Sequence, residues 1–244
     1  MSAILTIIKR EFTSYFYSPT AYVFIVIFLV LSGFFTFMMS SFFTNNESSL
    51  LVFFSWFPWI YLILIPAVGM PMWADERRLG TIELLFTMPV TAVQSILGKF
   101  IAAWLFIGIA LLLTFPMVIT VGYLGYPDYG AIACGYLGSF LLAGAYLAIS
   151  GMTSAMTRSQ VVSFILSAVF CLLLIFSGWP PFTDMLVEWA PTWLLQGAAS
   201  LSVMPHFASI QRGVIDSRDL IYYFSVIFFS LFTTGILLRT HRAG

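Results

Sequence analysis

Long apolar runs, separated by short polar or proline-containing stretches, extend from one end of the chain to the other. A helix needs about 20 apolar residues to cross a hydrocarbon core of roughly 30 Å. The runs therefore predict an all-α integral membrane protein with one transmembrane domain over residues 1–244. Six transmembrane spans are predicted, at about residues 21–43, 51–73, 92–123, 131–153, 161–178 and 219–238.

Two segments outside the spans have patterns of their own. In residues 1–20, apolar side chains alternate with Lys9, Arg10 and Glu11. This is typical of an amphipathic helix that lies in the membrane interface. In residues 179–218, prolines interrupt a segment that also contains several tryptophans. This pattern predicts short broken helices at the opposite membrane surface.

Residues 74–91 lie between the second and third spans and predict a short helix of a different kind. Gly80 ends the preceding helix, Thr81 can cap a new one, and Glu83 lies in its first turn, where the helix dipole favours a carboxylate. The apolar side chains of this helix have no lipid core to enter, so we expect a docking surface. These side chains are Ile82, Leu84, Leu85 and Phe86.

Capping residues stand directly before three of the spans. Ser18 precedes a proline that suits the first helical turn. Thr91 and Gln94 have the spacing of a capping box. Asp216 can cap the last span. These residues predict where the three helices begin.

Composition excludes an ordinary soluble domain, since 61% of residues are hydrophobic and only 8% are charged. The net charge is zero, which argues against a nucleic-acid partner. Cys134 and Cys171 lie in apolar runs without neighbouring ligands, so no metal site is expected. Gly98-Lys99 is followed by Phe100 instead of Ser or Thr, so the chain has no phosphate-binding loop and no catalytic residue is assigned.

The basic residues predict the orientation, because short Lys- and Arg-rich segments stay in the cytoplasm. With both termini cytoplasmic, only Arg212 and Arg218 lie outside. Lys99 is expected to reach the cytoplasmic edge of its span by extending its side chain. The basic residues placed inside are Lys9, Arg10, Arg77, Arg78, Lys99, Arg158, Arg239 and Arg242.

Small residues recur at helical spacing along the fourth span and allow a neighbouring backbone to approach closely. Packing within the chain and a seam between two copies are both compatible with this pattern. The residues are Gly144, Ala148, Gly151 and Ala155.

Two motifs carry a resemblance to a known family. The first consists of Glu76, Arg77, Arg78, Gly80, Thr81, Glu83, Leu84 and Leu85, followed by Thr87, Pro89 and Val90. It resembles the signature of ABC-2 type permeases after their second span. The second consists of His206, Ser209, Arg212, Gly213, Asp216, Arg218 and Asp219. It resembles the corresponding stretch of gliding-motility-associated permease subunits of the GldF type.

The resemblance implies the ABC-2 (type V exporter-like) permease fold in a bacterial cytoplasmic membrane. It also implies a separate ATP-binding subunit, which holds ATP and Mg²⁺ and docks on the first motif, while this chain binds no cofactor. A second permease copy or related chain, and often an auxiliary membrane subunit with a large extracytoplasmic domain, would complete the complex.

Other interpretations remain open at the level of sequence. The second motif either contacts a partner or exported material, or simply forms ion pairs of Arg212 and Arg218 with Asp216 and Asp219 that cap the last helix. For the whole chain, a stand-alone carrier or channel and a structural membrane scaffold are the alternatives. A carrier or channel would be expected to have charged groups inside its spans.

Overall fold

The computed structural model describes residues 3–39, 49–81, 91–178, 197 and 200–240. Regular structure in these residues is helical, and no strand occurs among them. Five helices are long and apolar enough to cross a membrane, which confirms the prediction of an all-α, multi-pass membrane protein. They are Pro19–Met39, Phe57–Leu79, Ala92–Leu124, Tyr129–Met156 and Ser217–Arg239.

The remaining predicted span, residues 161–178, corresponds to the apolar helix Gln160–Phe176. With 17 residues it is the shortest of these helices, about 25 Å at 1.5 Å per residue. The count of six transmembrane spans therefore stays a prediction.

Proline breaks divide two of the spanning helices into pairs. In chain order the helices are α1 (Ala3–Tyr17), α2 (Pro19–Phe34, extended by a π-helical segment, Phe35–Met39), α3 (Leu51–Ser55), α4 (Phe57–Gly69), α5 (Pro71–Leu79), α6 (Ala92–Leu112), α7 (Pro116–Leu124), α8 (Tyr129–Met156), α9 (Gln160–Phe176), α10 (Val203–Gln211) and α11 (Ser217–Thr240). Pro71 and Pro116 begin α5 and α7, whereas Pro66 lies inside α4.

Hydrogen bonds confirm two of the predicted helix starts. The Ser18 hydroxyl accepts from the Thr20 backbone N–H at 3.4 Å, at the start of α2. At the start of α6, the Gln94 N–H donates to the Thr91 hydroxyl at 3.3 Å, and the Thr91 N–H donates to the Gln94 side chain at 3.0 Å. This is a complete capping box, which satisfies two N–H groups that the helix itself cannot pair.

Helix α8 is the centre of the bundle and packs against α3, α4, α5, α6, α9, α10 and α11. Its glycines let bulky neighbours come close. A Cβ atom at Gly135 would lie 2.4 Å from the Phe54 ring, and one at Gly144 would lie 2.8 Å from Trp104. The Trp104 ring stacks on Phe140 with 4.4 Å between centroids, and its N–H donates to the Phe140 carbonyl at 2.8 Å.

The N-terminal helix α1 lies along the beginning of α6. A Cβ atom at Gly98 of α6 would lie 2.5 Å from Ile7, so α1 sits directly on the α6 backbone. Further along, Tyr15 stacks on Phe106 with 5.0 Å between ring centroids. Lys9 and Arg10 remain exposed. The structure thus has a helix at the predicted place, with one face docked on α6 and charged residues exposed, and its position in the membrane interface stays a prediction.

Helix α4 approaches α8 closely at Gly69, and this contact yields a prediction. A Cβ atom there would lie 2.3 Å from the Ser150 hydroxyl oxygen and 2.5 Å from its Cβ. We expect Gly69→Ala to destabilise the protein by about 1 to 3 kcal/mol through overpacking, measured as a lower melting temperature in detergent.

Gly33→Ala is the matched control, because a Cβ atom at Gly33 would have no heavy atom within 4 Å. Adding Ser150→Gly to Gly69→Ala should restore much of the lost stability. Equal melting temperatures for the Gly69 and Gly33 variants would contradict the packing argument.

Candidate functional site

The charged end of α5 contains the first motif, and we call this end of the bundle the Arg77 end. Helix α5 ends at Gly80, which has a left-handed backbone with φ of 71°. The Thr81 hydroxyl donates to the Glu76 carbonyl at 3.4 Å and so helps to close the α5 terminus. Glu83, Leu84 and Leu85 lie outside the described residues, so the short docking helix stays a prediction.

A serine from α8 bridges the break between α4 and α5. Pro71 has no N–H, and the Ser154 hydroxyl lies where the helical hydrogen bonding is interrupted. It accepts from the N–H groups of Trp73 and Ala74, both at 3.0 Å, and donates to the Met70 carbonyl at 2.7 Å. One buried side chain thereby holds the start of α5 to α8.

An ion pair between a buried lysine and a partly exposed glutamate links α5 to α6. The Lys99 ammonium lies 2.7 Å from a Glu76 carboxylate oxygen, donates to the Met72 carbonyl at 3.1 Å, and lies 5.2 Å from the centre of the Trp73 ring. Its side chain is only 10% exposed. A carboxylate and a carbonyl thus satisfy the charge of Lys99 at the Arg77 end, and its reach to the cytoplasmic edge stays a prediction.

A guanidinium group makes a further connection to α8. Arg77 donates to the Ala155 carbonyl in the last turn of α8, where carbonyls lack partners within the helix. Arg78 instead pairs with Asp75 on its own helix at 3.3 Å. Of these two neighbouring arginines, Arg77 therefore joins two helices and Arg78 does not.

The small residues of the fourth span are buried within this chain. Ala148 and Ala155 are fully buried. Gly144 faces Trp104 of α6, and Gly151 faces Met72 of α5 at 3.9 Å from its sulfur to the added Cβ position. Their helix packs within the subunit at these positions.

The second motif lies at the opposite end, which we call the His206 end. Helix α10 ends in a turn where the Gly213 N–H donates to the Ile210 carbonyl at 2.9 Å and the Val214 N–H donates to the Ser209 carbonyl at 3.4 Å. Gly213 has φ of 89°, the left-handed conformation that this Schellman turn requires. The following Asp216 accepts from the Arg218 N–H at 3.1 Å, as predicted for the cap of α11.

The cap also affects the acidity of its carboxylate. The backbone N–H of Arg218 lowers the pKa of Asp216 below its ordinary value by stabilising the charged form. Asp216 therefore remains charged at neutral pH and suits the positive end of the α11 dipole.

A histidine joins α10 to the last helix. His206 Nδ1 lies 2.7 Å from Asp219 Oδ1, and its ring stacks on Tyr222 with 4.2 Å between centroids. Asp219 is only 5% exposed, and its second oxygen has no hydrogen-bond partner. In the described residues, no ion pair within 4.0 Å involves Arg212 or Arg218. Asp219 pairs with His206, so the predicted arginine–aspartate pairs are not formed there.

Arg212 lies instead at a cavity of about 230 Å³. Asp128, which caps α8 through hydrogen bonds at 2.8 and 3.2 Å, lines the same cavity. The described residues contain no group of three or more His, Cys, Asp and Glu side chains that could hold a metal ion.

Sequence reasoning did not identify Ser154, or the pairing of Lys99 with Glu76. A lysine seven residues into an apolar span was a usable signal, because a charge at that depth normally has a partner. No local pattern distinguishes Ser154 from the other hydroxyl residues of α8.

Comparison with known proteins adds no relative. No protein-family model matches the chain, and no curated protein matches it significantly.

The Ser154 bridge yields a prediction about stability. Ser154→Ala would leave two buried N–H groups and one carbonyl without this partner, at a cost of about 1 to 3 kcal/mol for an unsatisfied group. Ser150→Ala is the control, since its hydroxyl makes one long bond of 3.4 Å to Pro66. We expect a clearly lower melting temperature for the Ser154 variant, and equal losses would contradict its bridging role.

The His206–Asp219 pair yields another prediction about stability. His206→Phe preserves a ring against Tyr222 but removes the hydrogen bond to the buried carboxylate, which costs about 1 to 3 kcal/mol. Adding Asp219→Leu removes the unpaired carboxylate and should recover stability. Additive losses in the double variant, by thermal melting, would show that the two side chains do not interact.

Proposed function

We propose that this chain is the permease subunit of an ATP-driven ABC-2 type exporter, or of a related complex that transmits movement across the membrane. In either case a separate ATP-binding subunit hydrolyses ATP. The alternatives are a stand-alone carrier or channel and a membrane scaffold.

The observation that carries the proposal is the way α5 is fastened at the Arg77 end. Glu76 binds Lys99 of α6, Arg77 binds the end of α8, and Ser154 of α8 binds the start of α5. A force applied to the chain beyond Gly80 would reach α5 first and pass through these contacts to two further helices. A subunit that converts docking of an ATPase into helix movement needs such a junction.

The distribution of charge supports a cytoplasmic position for this end. Helix α1 packs on the first half of α6, and Gly235 near the end of α11 lies beside Ile96 of α6, so both chain ends described here are at the Arg77 end. Most basic side chains are also on this side, which the positive-inside rule assigns to the cytoplasm. An ATP-binding subunit in the cytoplasm would have access to the Arg77 end.

The interior of the spans supports a permease over an ion-coupled carrier. Among the described spanning helices, Asp, Glu, Lys and Arg occur only within about two turns of a helix end. Carriers and channels usually place charged groups deeper, along their pathway. A partner-driven subunit has no such requirement.

The proposed complex contains two permease domains, from two copies or from this chain and a related one, and an auxiliary membrane subunit is a further candidate. The exported material is not assigned. The proposed membrane is the bacterial cytoplasmic membrane.

The experiment is a mild-detergent pull-down of the tagged chain from its native host, followed by identification of retained proteins and an ATPase assay. We expect an ATP-binding subunit with the wild-type chain and its loss with Glu83→Ala. With Lys99→Met, we expect the subunit to stay bound while ATPase activity per bound subunit changes several-fold, because the α5–α6 link is broken.

Lys9→Met is the matched control, since this lysine is exposed on α1. It should keep both the bound subunit and its activity. Recovery of the wild-type chain without any ATP-binding subunit would overturn the proposal and favour a carrier or scaffold.

A further inference from the structure

A polar cavity of about 540 Å³ opens at the Arg77 end, between α1, the start of α2 and the α4–α5 break. Carboxylates from two helices, Glu11, Asp75 and Glu76, line it together with the Lys99 ammonium. The cavity therefore has three acidic groups against one basic group.

The basic group in this cavity is already engaged, whereas acceptor capacity remains. Lys99 is bound to one oxygen of Glu76 at 2.7 Å, and the other oxygen is buried beyond the reach of a ligand, so the acceptors left in the cavity are the partly exposed carboxylates of Glu11 and Asp75. Glu11 and Asp75 pair with Arg10 and Arg78, but both arginine side chains are 63% exposed and those pairs are screened by water. The cavity thus favours a ligand with a positive charge and N–H donors.

Hydroxyl groups form another part of the cavity wall. Ser14, Ser18 and Thr20 line it, and the Ser18 and Thr20 oxygens lie 2.6 Å apart. Hydroxyls can donate to phosphate oxygens without adding charge. A ligand that carries an ammonium and a phosphodiester would find complementary groups for both.

An apolar groove of about 260 Å³ adjoins this cavity. Val23 and Ile27 of α2 and Leu64 and Val68 of α4 line it. These residues belong to two of the helices that can span a membrane, so the groove extends along these helices.

The cavity and the groove adjoin each other, because they share lining residues at the junction of α1, α2, α4 and α5, and we call the two together the cleft. The shared residues are Tyr15, Thr20, Ala67, Met70 and Pro71. The polar part lies at the helix ends and the apolar part extends along the spans. This is the arrangement of a head group and an acyl chain in one leaflet.

We propose that this cleft binds a phospholipid with a primary ammonium head group, of the phosphatidylethanolamine class, in the leaflet on the Arg77 side. The ammonium would donate to the partly exposed carboxylates of Glu11 and Asp75. The hydroxyls at the α1–α2 corner would hold the phosphate, and one acyl chain would occupy the groove.

The same chemistry predicts which phospholipid head groups the cleft prefers. Phosphatidylcholine has a quaternary ammonium without N–H groups, so it cannot donate to Glu11 or Asp75. Phosphatidylglycerol has no positive charge and would bring its phosphate toward three carboxylates. The expected order is therefore phosphatidylethanolamine, then phosphatidylcholine, then phosphatidylglycerol.

The site is formed by this chain alone and does not depend on an ATP-binding subunit. Lipid binding and ATPase recruitment are therefore separate measurements, and failure of one leaves the other standing.

The test uses the full-length chain, stripped of lipid in detergent and titrated with the three phospholipids bearing identical acyl chains. Native mass spectrometry reports bound lipid, and thermal melting reports stabilisation. We expect phosphatidylethanolamine to bind about tenfold more tightly than phosphatidylglycerol, the factor that one charge-assisted hydrogen bond can supply.

Two variants separate the head-group and acyl-chain contacts. Glu11→Gln with Asp75→Asn should reduce the preference for phosphatidylethanolamine, whereas Asp216→Asn, at the other end, should not. Val23→Trp should fill the groove and weaken binding of all three lipids. Val26→Trp is its matched control, because Val26 is 58% exposed against 56% for Val23, lies on the same helix and does not line the cleft.

Equal affinity for the three lipids, or a preference for phosphatidylglycerol, would overturn the head-group assignment. Equal effects of the Val23 and Val26 variants would overturn the groove. If the wild-type chain retains phosphatidylethanolamine and only the Val23 and carboxylate variants reduce its binding, both the head-group assignment and the groove are established.

Discussion

The close packing of α4 and α5 on α8 is the contact on which the rest of this structure depends. Helices in lipid gain little from hydrophobic association, because the acyl chains around them are equally apolar. Their packing is therefore decided by close approach and by buried polar contacts. Gly69 allows Ser150 to reach the α4 backbone, and Ser154 satisfies the groups freed at the proline break. Without these small residues, α5 could not lie against α8.

Once α5 is placed, the charges at its end acquire their partners. Glu76 meets Lys99 of α6, and Arg77 reaches the last turn of α8. A buried charge is tolerated only when such partners are present. When one partner is removed, the other charge stays buried without a partner, and its full desolvation cost destabilises the protein. The junction at the Arg77 end is therefore expected to move as one unit, which is the property that the proposed permease function requires.

The two ends of the bundle use polar groups for different tasks. At the His206 end, a Schellman turn and an aspartate cap reverse the chain between α10 and α11, and His206 holds the two helices together through Asp219. At the Arg77 end, carboxylates also line the cleft beside α1. Helix α1 therefore forms one side of the site proposed for a phospholipid.

Local sequence determined the elements of this protein. Span positions follow from hydrophobic length, and the starts at Ser18 and Thr91 follow from side chains that bond to backbone groups two or three residues away. The end of α5 follows from Gly80, which tolerates a positive φ. These outcomes depend on neighbours in sequence, so pattern and chemistry are enough to predict them.

Side-chain contacts between helices of the bundle were decided only by the tertiary structure. Nothing in the sequence paired Lys99 with Glu76, and the placement of α5 brought the two together. A pair between Asp219 and an arginine was one of two interpretations of the sequence, but the turn at Gly213 placed His206 beside Asp219. Ser154 had no signal in the sequence at all. Each of these contacts joins residues far apart in the chain, and their distance is fixed by helix packing, which no local pattern encodes.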